Sequence, residues 1–496
     1  MGRGRRVMQD RREDRSSLAV AGWFAVAAAL RLLFLGRFSL WGDEIYSLED
    51  ALDLFTPRVG AGDLAFPLFF LLERAVLELT GLARATDPDP LALQWALRIV
   101  PAIAGAAAAA AAFHSSRGFL ARRDRHLLAA LIAFSPWLLF FSQTARFYTL
   151  VLALATPATF ELLRAARDAS VKRGVIGAAW LLLATLAHPT ALFLLAGHAA
   201  ASFAAALLRV RPLNRGHVPP LLIPVLLAIP ASIWPAAVDP LLFRWNVRDA
   251  GVESAGGLLL GIGWNVGPVV AALAFLGIPS TWRGDRALAV HVVAGAGVPV
   301  LLLLALAMGE KSVEQRYLLA ILPLALLPAA RFLGEIADDV AARARAPAWA
   351  PPVLALLPYG PGVVSAYLDG NRHDLAGAAA VVRAGLEPGD GVIAETHALF
   401  RRYLPPGFPE ERLLEAPPPA TRQERERFAA MWKECPRIWL VVPAEFEGSG
   451  DPHRSFHQWA WSEGRLVREL WRPRLDYHQN RLRVFRVEPR AARRWH

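Results

Sequence analysis

The chain is patterned as a series of long apolar runs separated by polar segments. Each run approaches the roughly 20 apolar residues that an α-helix needs to cross a bilayer. We therefore predict a polytopic α-helical membrane protein with about eleven transmembrane helices. The runs lie at 18–38, 92–113, 126–141, 146–163, 174–188, 190–208, 218–237, 255–279, 287–308, 317–333 and 349–365.

Two segments outside these runs have a different pattern. Residues 1–17 are a basic tail that we expect to be disordered and cytoplasmic. Residues 39–91 form a long loop after the first run, and its apolar stretch from Leu64 to Leu82 is interrupted by charged side chains. Charges at this spacing are typical of an amphipathic helix lying on the membrane surface. The membrane domain is thus predicted to span residues 18–365.

The sequence from residue 366 to 496 alternates short apolar runs with charged helical segments. This alternation predicts a small α/β domain. It contains no phosphate-binding glycine loop, zinc-protease motif or nucleophile signature, so we assign it no catalytic role. Helices are expected at 374–386 and 419–434, and strands at 392–394, 437–442 and 481–487.

Composition and charge support a membrane protein. Of the 496 residues, 55% are hydrophobic, and the net charge is +11. The charge is unevenly distributed between alternate loops: one set carries 21 Lys and Arg residues and the other set carries 8. Because basic loops stay in the cytoplasm, this asymmetry places the N-terminus inside and, with an odd number of helices, the C-terminal domain outside. The charge therefore reflects topology, and we expect no nucleic-acid partner.

The sequence does not require a resident metal or cofactor. Cys435 is the only cysteine, which excludes an intramolecular disulfide and a thiolate metal cluster. The sequence contains no H-E-x-x-H zinc motif: His453 and His457 are four residues apart, but Arg454 stands where that motif has glutamate. Binding of a divalent cation by Asp43 and Glu44 is not excluded by the sequence, although no full ligand set is visible.

The sharpest candidate site is the segment Trp41-Gly42-Asp43-Glu44, directly after the first span. Two adjacent carboxylates at the external membrane surface suit general-base chemistry. The alternative is that Asp43 and Glu44 only cap an interfacial helix, with Trp41 as an aromatic anchor. The residues alone do not decide between these interpretations.

Cationic side chains with neighbouring tyrosines form a second candidate site on the predicted external face. Arg146 and Tyr148 open one span, and Arg316 and Tyr317 open a later one, preceded by Lys311. An arginine here either snorkels to the interface or binds a lipid phosphate through two oxygens. A phosphate-binding role is more plausible for the two arginines together than for either alone.

Weaker candidates for substrate binding are His188, Arg244 and Trp245. A lone histidine near the end of a span is more often structural than a ligand. Arg31 lies within the first span, where a charge costs about 2.5–3.5 kcal/mol at the bilayer centre. It must therefore face protein or water, and a helix-packing role is at least as plausible as a functional one.

These motifs together resemble the C-type superfamily of membrane glycosyltransferases (GT-C), in particular the protein O-mannosyltransferases and the bacterial aminoarabinose transferase. The resemblance rests on Asp43-Glu44 after the first span, on the long loop 39–91, on Arg146-Phe147-Tyr148 and on Arg316-Tyr317. It covers residues 1–330. Many relatives carry His-Pro-Pro in the first external loop, where this chain has Ala65-Phe66-Pro67.

The resemblance implies a bacterial plasma-membrane enzyme that transfers a hexose or pentose from a polyprenyl-phosphate monosaccharide. The acceptor would be a glycan, a lipid or a protein on the external face. Asp43 would act as the base in an inverting displacement, and Arg146 and Arg316 would stabilise the leaving phosphate. No nucleotide-binding domain is needed for such a donor.

Two other function classes stay open from the residues themselves. A transporter or flippase of lipid-linked sugars would use the same cations without needing Asp43 as a base. A membrane anchor whose external domain binds an envelope polymer is less consistent with so many helices. Transporters usually place ionisable residues near the midplane of the membrane. The carboxylate pair lies instead at a span end, which favours an enzyme.

Overall fold

The computed structural model describes most of the chain. The described residues are 2–54, 67–85, 88–224, 226, 255–308, 313–344, 347, 349–370, 372–394, 397–415, 422–443, 452–470 and 481–489. They form two compact units. The membrane unit comprises Met1–Leu33, Glu49–Val76 and Arg98–Val363, and the C-terminal unit comprises Phe34–Leu48, Leu77–Leu97 and Val364–His496.

The N-terminal half of the chain forms nine helices, α1 to α9, within the described residues. Helix α1 begins at Gly2, so the tail that we expected to be disordered is helical. The bounds are Gly2–Leu32 (α1), Gly42–Asp53 (α2), Leu68–Leu79 (α3), Pro90–Ser115 (α4), Arg122–Ala133 (α5), Pro136–Ser142 (α6), Tyr148–Asp168 (α7), Val171–Ala187 (α8) and Leu192–Leu207 (α9).

Further helices follow within the described part of the chain. They are Val218–Leu221, Ala255–Val266, Pro268–Gly284, Arg286–Met308, Leu322–Ala325, Leu327–Ala344, Ala350–Leu356 and Tyr359–Asp369. Single turns of 3-10 helix lie at Leu82–Arg84, Pro189–Ala191 and Arg215–His217, and a longer one at Gln315–Ile321.

The length and hydropathy of these helices suit a polytopic membrane protein. Four are long and apolar enough to span a bilayer, and three bent pairs raise the number to seven among the described residues. The predicted number of about eleven is therefore not confirmed. The four lie at Pro90–Ser115, Tyr148–Asp168, Pro189–Leu207 and Arg286–Met308.

One predicted span, 126–141, is broken in the structure. Helices α5 and α6 meet at an angle of 57°. The break falls at Ser135-Pro136, because a residue before proline is driven out of the helical region. Ser135 has φ −60° and ψ 122°, and its hydroxyl accepts a hydrogen bond from the Leu138 N–H, so it caps the start of α6.

Arg31 satisfies the backbone at this break. Its side chain is fully buried. The guanidinium donates to the carbonyl oxygens of Ile132 and Ala133, at 3.2 and 3.1 Å, and to Ser142 Oγ at 2.9 Å. The last carbonyls of a helix have no intrahelical partner, and membrane offers no water to replace one. Arg31 therefore has the packing role that the sequence left open.

The end of α1 is fixed to the end of α6 from both sides. Gln143 Nε2 donates to the carbonyl oxygens of Arg31 and Leu33, at 3.0 and 2.9 Å. Gly105 of α4 packs directly against this junction, where a Cβ atom would overlap Ser142 Oγ and Arg31 Nε. The position of the segment after Ser142 is thus set by α1 and α4.

The C-terminal unit contains a five-stranded mixed sheet. Its strands are Gly391–Ala394 (β1), Leu413–Glu415 (β2), Ile438–Pro443 (β3), Arg465–Leu470 (β4) and Leu482–Val487 (β5). Their order in the sheet is β2-β1-β3-β5-β4, with β1 parallel to β2 and β3, and β5 antiparallel to β3 and β4. The described helices after residue 370 are Leu375–Gly385, His397–Arg401, Arg422–Glu434 and Pro452–Glu463, so helices and strands agree with the α/β pattern in the sequence.

Helix α3 occupies the apolar stretch that we predicted to lie on the membrane surface. Its bounds, Leu68–Leu79, fall inside the predicted segment. Glu73 is fully buried, however, so this charge does not mark a solvent-facing side of the helix. The interrupted pattern predicted the helix but not the environment of its acidic residue.

We predict that Arg31→Met destabilises the protein by about 3 kcal/mol or more, because several hydrogen bonds from a charged donor are lost together. The measurement is the thermal unfolding midpoint of the full chain in detergent. Arg84→Met is the control, since the Arg84 side chain is 86% exposed and its ion pair with Glu78 is long, at 3.5 Å. Equal unfolding midpoints for the two variants would contradict a structural role for Arg31.

Candidate functional site

The carboxylate pair lies in the first turn of α2. Asp43 is half-buried, whereas Glu44 is fully buried. Successive residues of a helix differ by about 100° in direction around the axis. Adjacency in the sequence therefore does not give the two carboxylates one environment, and they have different surroundings here.

Glu44 is held by a buried ion pair within the C-terminal unit. Arg372 Nη1 lies 2.7 Å from Glu44 Oε2, and the two side chains are 3% and 0% exposed. The same oxygen accepts the Trp41 backbone N–H at 2.9 Å. This second contact is the Glu half of a capping box, which fixes the start of a helix. The cap that we considered for the pair is thus formed by Glu44.

Two further hydrogen bonds hold the loop before α2 to the C-terminal part of the chain. Ser39 Oγ accepts the N–H of Ala376 at 2.9 Å. The Tyr403 hydroxyl accepts the N–H of Leu40 at 2.8 Å and an N–H of Gln94 at 3.0 Å. Residues 39–44 are therefore held at three points, all inside the C-terminal unit. Asp43 is positioned by this framework.

The membrane unit brings the predicted cationic residues together around a cluster of rings. His188 stacks on Phe147 with ring centroids 3.7 Å apart and an interplanar angle of 10°. The rings of Tyr148 and Tyr317 lie 6.2 and 6.3 Å from that of His188. We refer to these four rings as the aromatic cluster.

Arg146 and Arg316 both lie over rings of the aromatic cluster. The Arg146 guanidinium carbon is 4.9 Å from the Phe147 centroid, and that of Arg316 is 5.2 Å from the Tyr148 centroid. Such contacts orient the planar guanidinium and keep its edge available for hydrogen bonds. Arg316 also forms an ion pair with Glu314, and its side chain is 13% exposed. Two cations thus converge on one cluster.

His188 owes its position to the proline that follows it. It ends α8 with an extended backbone, φ −169° and ψ 143°, before the 3-10 turn Pro189–Ala191. Its Nδ1 accepts the Thr190 N–H at 3.3 Å and lies 3.0 Å from Thr190 Oγ1, which fixes the orientation of the ring. The break between two helices therefore places the imidazole in the aromatic cluster.

Five predicted site residues meet in the membrane unit: Arg146, Tyr148, His188, Arg316 and Tyr317. Asp43 and Glu44 belong to the C-terminal unit. Lys311, Arg244 and Trp245 lie outside the described residues. Among the side chains that the structure describes, no group of three or more His, Cys, Asp or Glu is arranged to hold a metal ion.

Sequence reasoning missed two residues of these sites. Phe147 was noted only as the middle residue of the Arg-x-Tyr motif. Its ring, however, contacts both the Arg146 guanidinium and the His188 ring. Arg372 is 328 positions from Glu44 and follows no pattern that marks it as a partner. An arginine just after the last apolar run was the only available signal.

We predict a strong energetic coupling between Glu44 and Arg372. Glu44→Gln keeps an acceptor for the Trp41 N–H but removes the negative charge that pairs with the buried Arg372, which costs about 3–5 kcal/mol. In the double variant with Arg372→Met the cost should be smaller than the sum of the single costs by about 1–3 kcal/mol. Unfolding of the full chain in detergent gives these values. Arg383→Met, at an exposed position in the same unit, is the control, and additive costs would contradict the coupling.

This chain is similar to known proteins in its structure, but sequence comparisons find no match. No protein-family model matches the chain, and no curated protein matches it. The structure of ArnT, the aminoarabinose transferase, from Cupriavidus metallidurans in the apo state is similar, with a TM-score of 0.53 and 15% identity over 96% of this chain and 100% of that one.

Two further solved structures are similar. ArnT from the same organism bound to undecaprenyl phosphate has a TM-score of 0.52 and 15% identity over 96% of this chain and 99% of that one. The oligosaccharyltransferase of Archaeoglobus fulgidus, in complex with zinc and sulfate, has a TM-score of 0.52 and 14% identity over 89% of this chain and 69% of that one. The chain therefore shares its fold with ArnT and with this oligosaccharyltransferase.

Proposed function

We propose that this protein transfers a monosaccharide from a polyprenyl-phosphate donor to an acceptor on the extracytoplasmic face of the membrane. The observation that carries the proposal is the convergence of Arg146 and Arg316 on one aromatic cluster. A chain with the same fold, ArnT, has been solved with undecaprenyl phosphate bound. A lipid phosphate is the ligand that two oriented guanidinium groups at the end of a span would suit.

In the proposed reaction Asp43 accepts the proton of the acceptor hydroxyl. The freed oxygen attacks the anomeric carbon of the donor sugar, and the bond from that carbon to the phosphate oxygen breaks. Configuration is inverted because there is one displacement. The bonding electrons leave with polyprenyl phosphate, and Arg146 and Arg316 stabilise the negative charge that develops there.

Glu44 has a different role in this proposal from the catalytic one suggested by the sequence. Its carboxylate is buried and bound by Arg372 and by the Trp41 N–H, so it has no free access to an acceptor. We assign Glu44 as a positioning residue for Asp43. Tyr148, Tyr317 and His188 would contact the donor beside the phosphate.

The central experiment supplies the full-length protein with a panel of polyprenyl-phosphate sugars and measures release of polyprenyl phosphate. We expect Asp43→Asn to reduce turnover by about 10²–10⁴, because the substitution removes the proton acceptor and keeps the size of the side chain. Donor affinity should change little. Glu49→Gln, an exposed carboxylate on the same helix, is the control. Unchanged turnover in Asp43→Asn would exclude it as the base.

A second experiment tests the phosphate-binding cations through Glu314. Because Glu314 forms an ion pair with Arg316, its carboxylate competes with a lipid phosphate for that guanidinium. Glu314→Gln should therefore increase donor affinity, whereas Arg146→Ala should decrease it and also slow the chemical step. Donor affinity and single-turnover rate are the measurements, with Arg84→Ala as the exposed control.

The outcomes of this experiment separate the alternatives. Donor affinity that falls in Glu314→Gln would indicate that the ion pair only stabilises the fold. Rates unchanged in Arg146→Ala would mean that this arginine only snorkels. A transporter would move lipid-linked sugar across the bilayer while the wild-type protein transferred no sugar to any acceptor.

A further inference from the structure

A pocket of about 350 Å³ lies within the C-terminal unit, next to the loop that carries Asp43. One wall is the segment Arg401–Phe408, another is Leu40, and the third is the start of α4 with Pro88, Pro90 and Leu93. Its volume is at the lower end of the range of small-molecule sites, about 300–1,000 Å³. The reaction proposed above does not use this pocket.

The charge of the pocket lining is one-sided. Arg401 and Arg402 are both lining residues, and no Asp or Glu is among them. Arg401 does form an ion pair with Glu410 at 3.3 Å, but these side chains are 47% and 78% exposed. Exposed ion pairs of this kind contribute little to stability, so a ligand can replace Glu410 at little cost. The pocket therefore favours a negatively charged group.

The wall formed by residues 401–408 is preformed. Two hydrogen bonds close tight turns in this wall. The Leu404 N–H donates to the Arg401 carbonyl, and the Phe408 N–H donates to the Pro405 carbonyl. Gly407 has a φ of +77°, a conformation that glycine adopts without strain. Pro405 and Pro406 further restrict the backbone. A wall that is rigid before binding loses little conformational entropy when a ligand enters.

Tyr403 links the pocket to the candidate base. It lines the pocket, and its hydroxyl accepts the N–H of Leu40, which lines the pocket as well. Leu40 precedes Asp43 by three residues, so their backbones are at most about 11 Å apart. A molecule with one group in the pocket can therefore present another group to Asp43.

We propose that this pocket binds a carboxylate or phosphate group on the acceptor, a short distance along the molecule from its reacting hydroxyl. The assignment of the ligand as the acceptor rests on the proposed function, whereas the charge preference rests on the pocket alone. The acceptor class is thus an acidic glycan or a phosphorylated glycan or lipid. A guanidinium group at the pocket lining can pair with either anion through two N–H donors.

The test is binding of three probes to the full-length protein in detergent: glucuronate, glucose 1-phosphate and neutral glucose. We expect both charged probes to bind at least about tenfold more tightly than glucose, because charged hydrogen bonds contribute about 1.5–3 kcal/mol each. The charged probe that binds more tightly shows whether the pocket prefers a carboxylate or a phosphate. Isothermal titration calorimetry or saturation-transfer NMR provides the affinities.

Substitutions assign the binding to this pocket. Replacing both arginines, with Arg401→Gln and Arg402→Gln, should reduce the affinity for glucuronate by about tenfold or more. Arg401→Gln alone changes an exposed position and should therefore fold normally. It should reduce the affinity for glucuronate by less than the double substitution does. Arg383→Gln removes an exposed charge from the same unit and should leave the affinity unchanged.

The outcomes distinguish this proposal from the proposed reaction. Equal affinity for glucose and glucuronate, or no loss in the double variant, would overturn the anion pocket even if sugar transfer is observed. Charge-selective binding that is lost in the double variant would support the pocket even if no donor releases polyprenyl phosphate. In that case the proposed reaction would fail and the binding site would stand.

Discussion

The membrane unit depends on the hydrogen bonds that the guanidinium of Arg31 donates. Helices broken inside a bilayer expose carbonyl groups that no water can reach, and each needs an internal donor. Arg31 supplies these donors at the break between α5 and α6, while Gln143 returns hydrogen bonds to the end of α1. Residues 142–143 are fixed in this way, and Arg146 follows three residues later. The position of a candidate phosphate-binding residue therefore depends on an arginine that is not part of the site.

The sequence predicted which residues come together better than it predicted the spans. Arg146 and Tyr148, His188, and Arg316 and Tyr317 come from three separate parts of the sequence, and the structure brings them to one aromatic cluster. Apolar runs, in contrast, report only that a segment is apolar. They do not report whether it is one straight helix or two short ones, and the break at Ser135-Pro136 inside the run 126–141 shows the difference. Proline is the local signal that the run-based prediction did not weigh.

The carboxylate pair shows why some contacts are beyond sequence reasoning. Asp43 and Glu44 look equivalent in the sequence, yet a helix turns about 100° from one to the next. Which of the two is buried depends on what packs against that face, and here it is Arg372, from a distant part of the chain. No periodicity connects the two positions. Only the folded chain shows that the second carboxylate is buried against Arg372.

Residues 366–496 carry no catalytic motif, but three of them contact the segment that leads into Asp43. A general base needs its carboxylate within a fraction of an ångström of the productive position, and a loop alone does not provide this. The segment 39–44 is held instead by a buried ion pair, a serine hydroxyl and the Tyr403 hydroxyl. Loss of any one of these contacts should affect the rate of a reaction at Asp43 more than donor binding by the membrane unit. Because Tyr403 also lines the pocket, one side chain contacts both the segment before Asp43 and the proposed acceptor site.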